Sequence, residues 1–338
     1  MLNQFDYLPS GFLQAGAQQM LSVLPGPSLI HLPGRREQPV FASLMLHGNE
    51  DVGLRAVQNL LQFYGDKPLP RALSIFVGNL AAARLNVRRL PDQPDYNRVW
   101  PGHENMHGPE ADMTAKVTEI MRQRRCFISV DFHNNTGLNP YYALINRLDP
   151  ALLRLAVMFN RTIVYTLRPN GTQAMAFLPF CAALTIECGK VGDQHGIRRA
   201  TEFLQAVMEL GEIGGEHVRN RDFDLFHSLA VVKVPSHYTI SVGGQADIRF
   251  REGLDFMNFQ ELAANTVIAE LSPGSNAEFD VRDERGAQVY GQFFMRDGDR
   301  IVLRKPVIPA MLTLDLDIVR QDCLCYLMLR LETIAGLS

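Results

Sequence analysis

Apolar residues fall into two patterns along this chain, and the pattern changes near residue 215. Before that point, short apolar runs alternate with amphipathic stretches. Residues 41–46, 73–77, 127–132, 141–145 and 182–186 are brief and rich in β-branched or large apolar side chains, as buried strands are. Between them apolar residues recur at helical spacing. One set is Val52, Ala56, Val57, Leu60, Leu61 and Tyr64, and another is Met113, Val117, Ile120 and Met121. Leu152, Leu155, Ala156 and Phe159 form a third, and Phe203, Leu204, Val207 and Leu210 a fourth. Strands separated by such helices predict an α/β fold, a sheet with helices on both faces.

After Gly211-Glu212-Ile213-Gly214-Gly215 the helical period stops. Strand-like runs follow at 231–234, 238–242, 266–271, 278–282, 292–295 and 300–303. Pro273-Gly274, Arg285-Gly286 and Asp297-Gly298 supply turns among them. The expected organisation is an α/β domain over residues 1–215 and a smaller β-rich domain over residues 223–338.

Charge narrows the function classes. A formal net charge of -3 leaves no electrostatic footprint for nucleic acid or an anionic membrane. The N-terminus lacks a basic segment followed by an apolar core, and no later stretch reaches the ~18 apolar residues of a membrane span. A cytoplasmic location is expected. Five cysteines, an odd number without zinc-like spacing, fit reduced thiols.

The chemistry gathers at strand ends, where ligands of open α/β sheets bind. The first run leads into His47-Gly48-Asn49-Glu50, the third ends in Asp131-Phe132-His133, and the fifth in Glu187. Charged groups at the ends of apolar strands call for partners. His47, Glu50 and His133 would supply two imidazoles and a carboxylate to a zinc ion, leaving one position for a water. Glu187 would be the general base that takes the proton of that water and passes it to a leaving amine. Asp131, two residues before His133, suits the fixing of an imidazole tautomer. Residues 78–102 bring Arg84, Arg88, Arg89, Asn97 and Arg98 into one irregular segment, where guanidinium forks can bind carboxylates or polarise a carbonyl. A solvated loop is the plain alternative for that segment.

In their order these stretches resemble the zinc carboxypeptidase superfamily, in its succinylglutamate desuccinylase and aspartoacylase branch. The resemblance rests on His47-Gly48-Asn49-Glu50, on Asn79 and Asp95-Tyr96-Asn97-Arg98-Val99-Trp100-Pro101-Gly102, on Asp131-Phe132-His133-Asn134-Asn135-Thr136-Gly137, and on Glu187-Cys188-Gly189-Lys190. Asp255 to Phe259 and Asn265 to Ala269 resemble the small β domain of that branch, so the likeness spans roughly residues 40–315. It implies a mixed-sheet zinc-carboxypeptidase-like catalytic domain and one Zn2+ per chain, held by His47, Glu50 and His133. It also implies Glu187 as base and Asn97 with Arg98 as holders of a substrate carboxylate. The carbonyl-polarising arginine maps to Arg88 or Arg89, with Arg89 preferred on its spacing to Asn97. Tyr96 and Trp100 stand where the family usually has leucine and phenylalanine, and the loop after Asp131 is nearer the aspartoacylase form. These departures bear on which acyl group is removed.

The implied activity is zinc-dependent hydrolysis of a small N-acyl amino acid. A carboxypeptidase for short peptides, or a metal- or ligand-binding protein without catalysis, are the rival readings. The expected partner is the small substrate alone, without nucleic acid or membrane, and a homo-oligomer is left open. Arg168 reads first as a plain loop arginine, with an extra carboxylate contact as the alternative, and His103, His107 and His195 read as surface or loop residues.

Overall fold

The computed structural model describes residues 1–102, 107–214 and 218–332. Its first part supplies strands β1 (Asn3–Phe5), β2 (Ser28–Leu32), β3 (Val40–Leu44), β4 (Leu73–Val77), β5 (Ile128–Asn135), β6 (Tyr142–Ile145), β7 (Thr162–Tyr165) and β8 (Ala182–Lys190). Helices α1 (Val52–Tyr64), α2 (Leu80–Arg84), α3 (Pro109–Gln123), α4 (Pro150–Phe159), α5 (Gln173–Phe177) and α6 (Gln194–Glu209) alternate with them. The remainder adds β9 (Asp224–Lys233), β10 (Ile240–Val242), β11 (Ile248–Phe250), β12 (Val267–Leu271), β13 (Asp280–Asp283), β14 (Phe294–Asp297), β15 (Arg300–Leu303), β16 (Ile308–Ala310) and β17 (Cys325–Leu331). Two short helices, α7 (Tyr290–Phe293) and α8 (Leu316–Gln321), lie among these strands.

A twelve-stranded mixed sheet runs β1-β2-β4-β3-β5-β8-β6-β7-β9-β17-β16, with β13 paired to β9. Its centre, β4-β3-β5-β8, is parallel. Side chains alternate across this centre with the two-residue period of a pleated strand. Val40, Ala42 and Leu44 of β3 join Val130 and Phe132 of β5 in the core shared with α1, α4 and α6. Phe41, Phe76 and Ala183 face the other way, onto α3 and α5 with Trp100 and Phe177. Helices therefore cover both faces of the sheet.

The chain after residue 223 is divided between two sheets. Strands β9, β13, β16 and β17 extend the large sheet, whereas β10-β11-β12-β15-β14 form a separate five-stranded one. Ala230 and Val232 of β9, Val281 of β13, and Cys325 and Leu327 of β17 pack against Phe250, Leu271, Phe294 and Ile301 of the smaller sheet. Two sheets thus share one core, burying the alternate residues of each. The opposite face of the extension meets the first part through Tyr142, Val164, Phe226, Ile308, Ala310 and Met328. This contact brings C-terminal residues to the carboxyl ends of the central strands. Among the described residues, no helix is long and apolar enough to cross a membrane.

Candidate active site

Strand β3 stops at Leu44, two residues before the apolar run ends, and Met45 takes a positive φ of 55°. The turn that follows delivers His47 and Glu50 just ahead of α1. Its geometry depends on Gly48, because a Cβ there would lie 2.3 Å from the Ala83 amide nitrogen of α2. Asn134 completes the turn from β5: its Oδ1 accepts from the Val52 amide at 3.2 Å, one of the four free donors at the start of α1.

Strand β5 runs three residues past the apolar stretch, and β8 four. Ser129, Asp131 and His133 share one face of β5, opposite Val130 and Phe132. Parallel pairing sets His133 beside Glu187 of β8 and Asp131 beside Thr185. The two strand ends therefore present one imidazole and one carboxylate side by side.

The Glu50 carboxylate joins two imidazoles. Oε1 lies 2.8 Å from His47 Nδ1, and Oε2 lies 2.7 Å from His133 Nδ1. The outward nitrogens meet carboxylates as well: His47 Nε2 is 3.1 Å from Asp95 Oδ1, and His133 Nε2 is 2.8 Å from Asp131 Oδ2. One ligand atom from each of His47, Glu50 and His133 lies within 4.8 Å of the others, and all three residues are buried. Two neutral imidazoles and a carboxylate match the donors of catalytic zinc sites, and the outer carboxylates match the partners that orient metal-bound histidines. The residues present fit a zinc ion.

The charge states follow from this crowding. Burial, and after it Arg88, push His47 toward neutrality, but Glu50 and Asp95 outweigh them and raise its pKa. His133 is opposed by burial and driven well up by Asp131 and Glu50. Burial alone would raise Glu50, yet the two imidazoles hold it well below the carboxylate range. Glu187 behaves differently. Burial lifts it from 4.5 to about 7, only partly countered by His133. Its Oε2 is buried without a hydrogen-bond partner. A carboxylate so placed can exchange a proton near neutral pH.

The arginine segment is tied to the metal-ligand turn by its backbone, since the Gly48 amide donates to the Arg88 carbonyl at 3.0 Å. Arg88 is buried and faces the site, with Nη1 3.6 Å from Glu50 Oε1 and Nη2 3.0 Å from Asp95 Oδ2. Arg89 turns away and donates to the Gln93 carbonyl at 2.7 Å. Of that pair it is Arg88 that faces the cavity, against the spacing preference for Arg89, in a segment without regular structure where spacing sets no register. Asn97 lines the cavity while its Nδ2 donates to Asp131 Oδ2 at 3.0 Å and its Oδ1 accepts from the Gln173 amide at 2.9 Å. Arg98 lines the same cavity as Glu187, and so does Arg168. Arg84 and His107 are exposed, His195 is exposed on α6, and His103 lies outside the described residues.

Two carboxylates had no role assigned from sequence. Asp95 was visible within its motif, and it orients His47 and grips Arg88 together. Asp322, just after α8, had no local signal at all. It receives Arg88 Nη2 on Oδ2 at 3.2 Å and Arg98 Nη2 on Oδ1 at 2.8 Å. The whole group opens into a cavity of about 740 Å³, counting its mouth. Tyr142, Leu144, Val164, Ala310, Met311 and Met328 give that cavity an apolar wall, three of them from the C-terminal part.

Fold and site together define a mixed-sheet α/β protein whose strand ends converge on a candidate metal group. Residues 42–210 match the succinylglutamate desuccinylase/aspartoacylase catalytic domain, and the chain belongs to that family. Murine aminoacylase 3 is similar in structure, at TM-score 0.58 and 15% identity over 88% of this chain and 96% of that one. A succinylglutamate desuccinylase/aspartoacylase from Rhodobacter sphaeroides gives TM-score 0.57 at 16% identity, over 90% of this chain and 88% of its own. The succinylglutamate desuccinylase of Chromobacterium violaceum gives 0.54 at 17%, over 88% and 86%. These likenesses establish the fold. No curated protein matches the sequence.

Proposed function

We propose that this chain hydrolyses the amide bond of a small N-acyl amino acid. The observation that carries the reading is Glu187: a buried carboxylate, raised to about 7, with one oxygen unpartnered beside the His47-Glu50-His133 group. Those three residues would hold one zinc ion, which when bound polarises a carbonyl and acidifies water. Glu187 takes the proton of the attacking water and returns it to the departing amine. Arg88, anchored by Asp95, lies where a guanidinium can stabilise charge developing on the carbonyl oxygen. Family membership and the three similar structures, an aminoacylase and two desuccinylase-type proteins, support the same reading.

A short-peptide carboxypeptidase would use the same groups. The cavity favours the smaller substrate, because Ala310, Met311, Tyr326 and Met328 from the C-terminal part stand across one side of it. Offering N-acyl amino acids and dipeptides side by side, with metal analysis of the same sample, tests both readings. Cleavage of N-acyl amino acids with about one zinc per chain is expected. Cleavage of dipeptides alone would replace the proposal with the peptidase.

A further inference from the structure

Arg88 and Arg98 do not stand open to a substrate carboxylate. Asp322 places one oxygen on each guanidinium, 3.2 and 2.8 Å away, and Asp95 takes a further bond from Arg88. The Asp322 side chain is only 12% exposed. A substrate carboxylate arriving here would meet a like charge, and expelling Asp322 would strip a buried carboxylate of both partners. Arg168 also lines the cavity. Its Nε donates to the Glu284 carbonyl at 2.9 Å, which fixes the side chain, and among the described residues it pairs with no carboxylate. Glu284 itself turns its carboxylate to His227 Nε2, 2.7 Å away. The cavity that holds Arg168 and the metal-ligand group also presents an apolar wall of Tyr142, Leu144, Val164, Ala310, Met311 and Met328. A second carboxylate laid on that wall would be desolvated without a partner.

We infer that the substrate is an N-acyl amino acid with an apolar body and a single carboxylate, bound by Arg168, because Asp322 fills the anion position between Arg88 and Arg98. The inference rests on the proposed function for the class of substrate. It adds Asp322 as the residue that selects against dicarboxylates.

Calorimetric titration of the full chain with phenylbutyrate and with glutarate tests it, since neither probe contains an amide to cut. The wild-type chain is expected to bind phenylbutyrate at least about tenfold more tightly than glutarate. Asp322→Asn, which keeps the shape and removes the charge, is expected to narrow that ratio about tenfold by strengthening glutarate binding. Arg168→Gln is expected to weaken phenylbutyrate about tenfold. Equal or reversed wild-type affinities would overturn the inference without any variant having to fold. An unmoved ratio in Asp322→Asn, or an unmoved phenylbutyrate affinity in Arg168→Gln, would overturn it too. Discrimination as expected by a chain that hydrolyses no acyl amino acid would contradict the proposed function and leave this selectivity standing.

Discussion

The amide of Gly48 donates to the carbonyl of Arg88 across 3.0 Å, so the turn bearing two metal-ligand candidates and the loop bearing the cavity arginine are built as one piece. The same glycine lets the α2 backbone approach. A Cβ would stand 2.3 Å from the Ala83 nitrogen and 2.4 Å from the Ala82 carbonyl carbon, both backbone atoms that cannot swing aside. Gly48→Ala is expected to destabilise the chain by about 1–3 kcal/mol, as overpacking of a tight interior does. Urea unfolding would show it as a lower midpoint, and an unchanged midpoint would mean the turn has slack that the structure lacks.

The two neighbouring arginines should separate in a kinetic assay. Arg88 touches Glu50 and Asp95 inside the cavity, whereas Arg89, among the described residues, bonds to its own loop at the Gln93 carbonyl. Arg88→Ala is expected to lower kcat/KM by about 10²–10³-fold, the usual cost of losing one oxyanion donor. Arg89→Ala should change it only a few-fold. Larger losses in the second variant than in the first would restore the assignment suggested by spacing.

Asp95 should act through His47. Its carboxylate lies 3.1 Å from His47 Nε2 and helps keep that imidazole basic. Asp95→Asn is expected to weaken zinc binding about 10–100-fold in a chelator competition assay. Zinc must also displace protons from His47 and His133, both raised by their carboxylate neighbours, so its affinity should fall as pH drops. Affinity independent of pH and unchanged in Asp95→Asn would argue against this ligand set.

A histidine far from the site contributes its own term to acid stability. His31 Nδ1 lies 2.8 Å from Ser74 Oγ, and its Nε2 is buried without a partner. Burial first, and Arg124 second, push its pKa from 6.5 down to about 4. Below pH 6.5 the unfolded chain therefore binds a proton that the folded chain refuses, and the contribution of His31 to stability falls until about pH 4. Above 6.5 the residue is neutral in both states and contributes no slope. His31→Gln should flatten the decline between those limits, seen as urea midpoints compared near pH 7 and about pH 5. An identical decline in the variant would place the acid sensitivity elsewhere.

Much of the site could be read from sequence because buried strands announce themselves by apolarity and the ligands sit where that apolarity stops. Strands 73–77 and 300–303 match β4 and β15 to the residue. The runs at 127–132 and 182–186 end too early, because His133, Asn134, Asn135 and Glu187 remain in strand, with His133 beside Glu187 in the ladder and His133 and Asn134 bonded to Glu50. Polar residues satisfied inside a site look like loop in a pattern of hydrophobicity. The exchange of Arg89 for Arg88 has a different cause: residues 85–102 form no regular element, so spacing carries no register there. Strands β9, β13, β16 and β17 show why the C-terminal part was harder. Alternation marks a strand but not the sheet it joins, and β9 reaches β7 and β17 through pairings remote in sequence. Asp322 arrives with that extension, more than two hundred residues from the arginines it holds, and nothing local in Gln321-Asp322-Cys323 signals it.

The proposed function rests on Glu187 as the base, and replacing it tests that reading most directly. The rate of N-acyl amino acid hydrolysis by Glu187→Gln should be measured against the wild-type chain at matched metal content. A loss of about 10²–10⁴-fold with zinc still bound is the expected result, since the amide keeps the shape of the carboxylate and cannot take a proton. Turnover at the wild-type rate in that variant would contradict it.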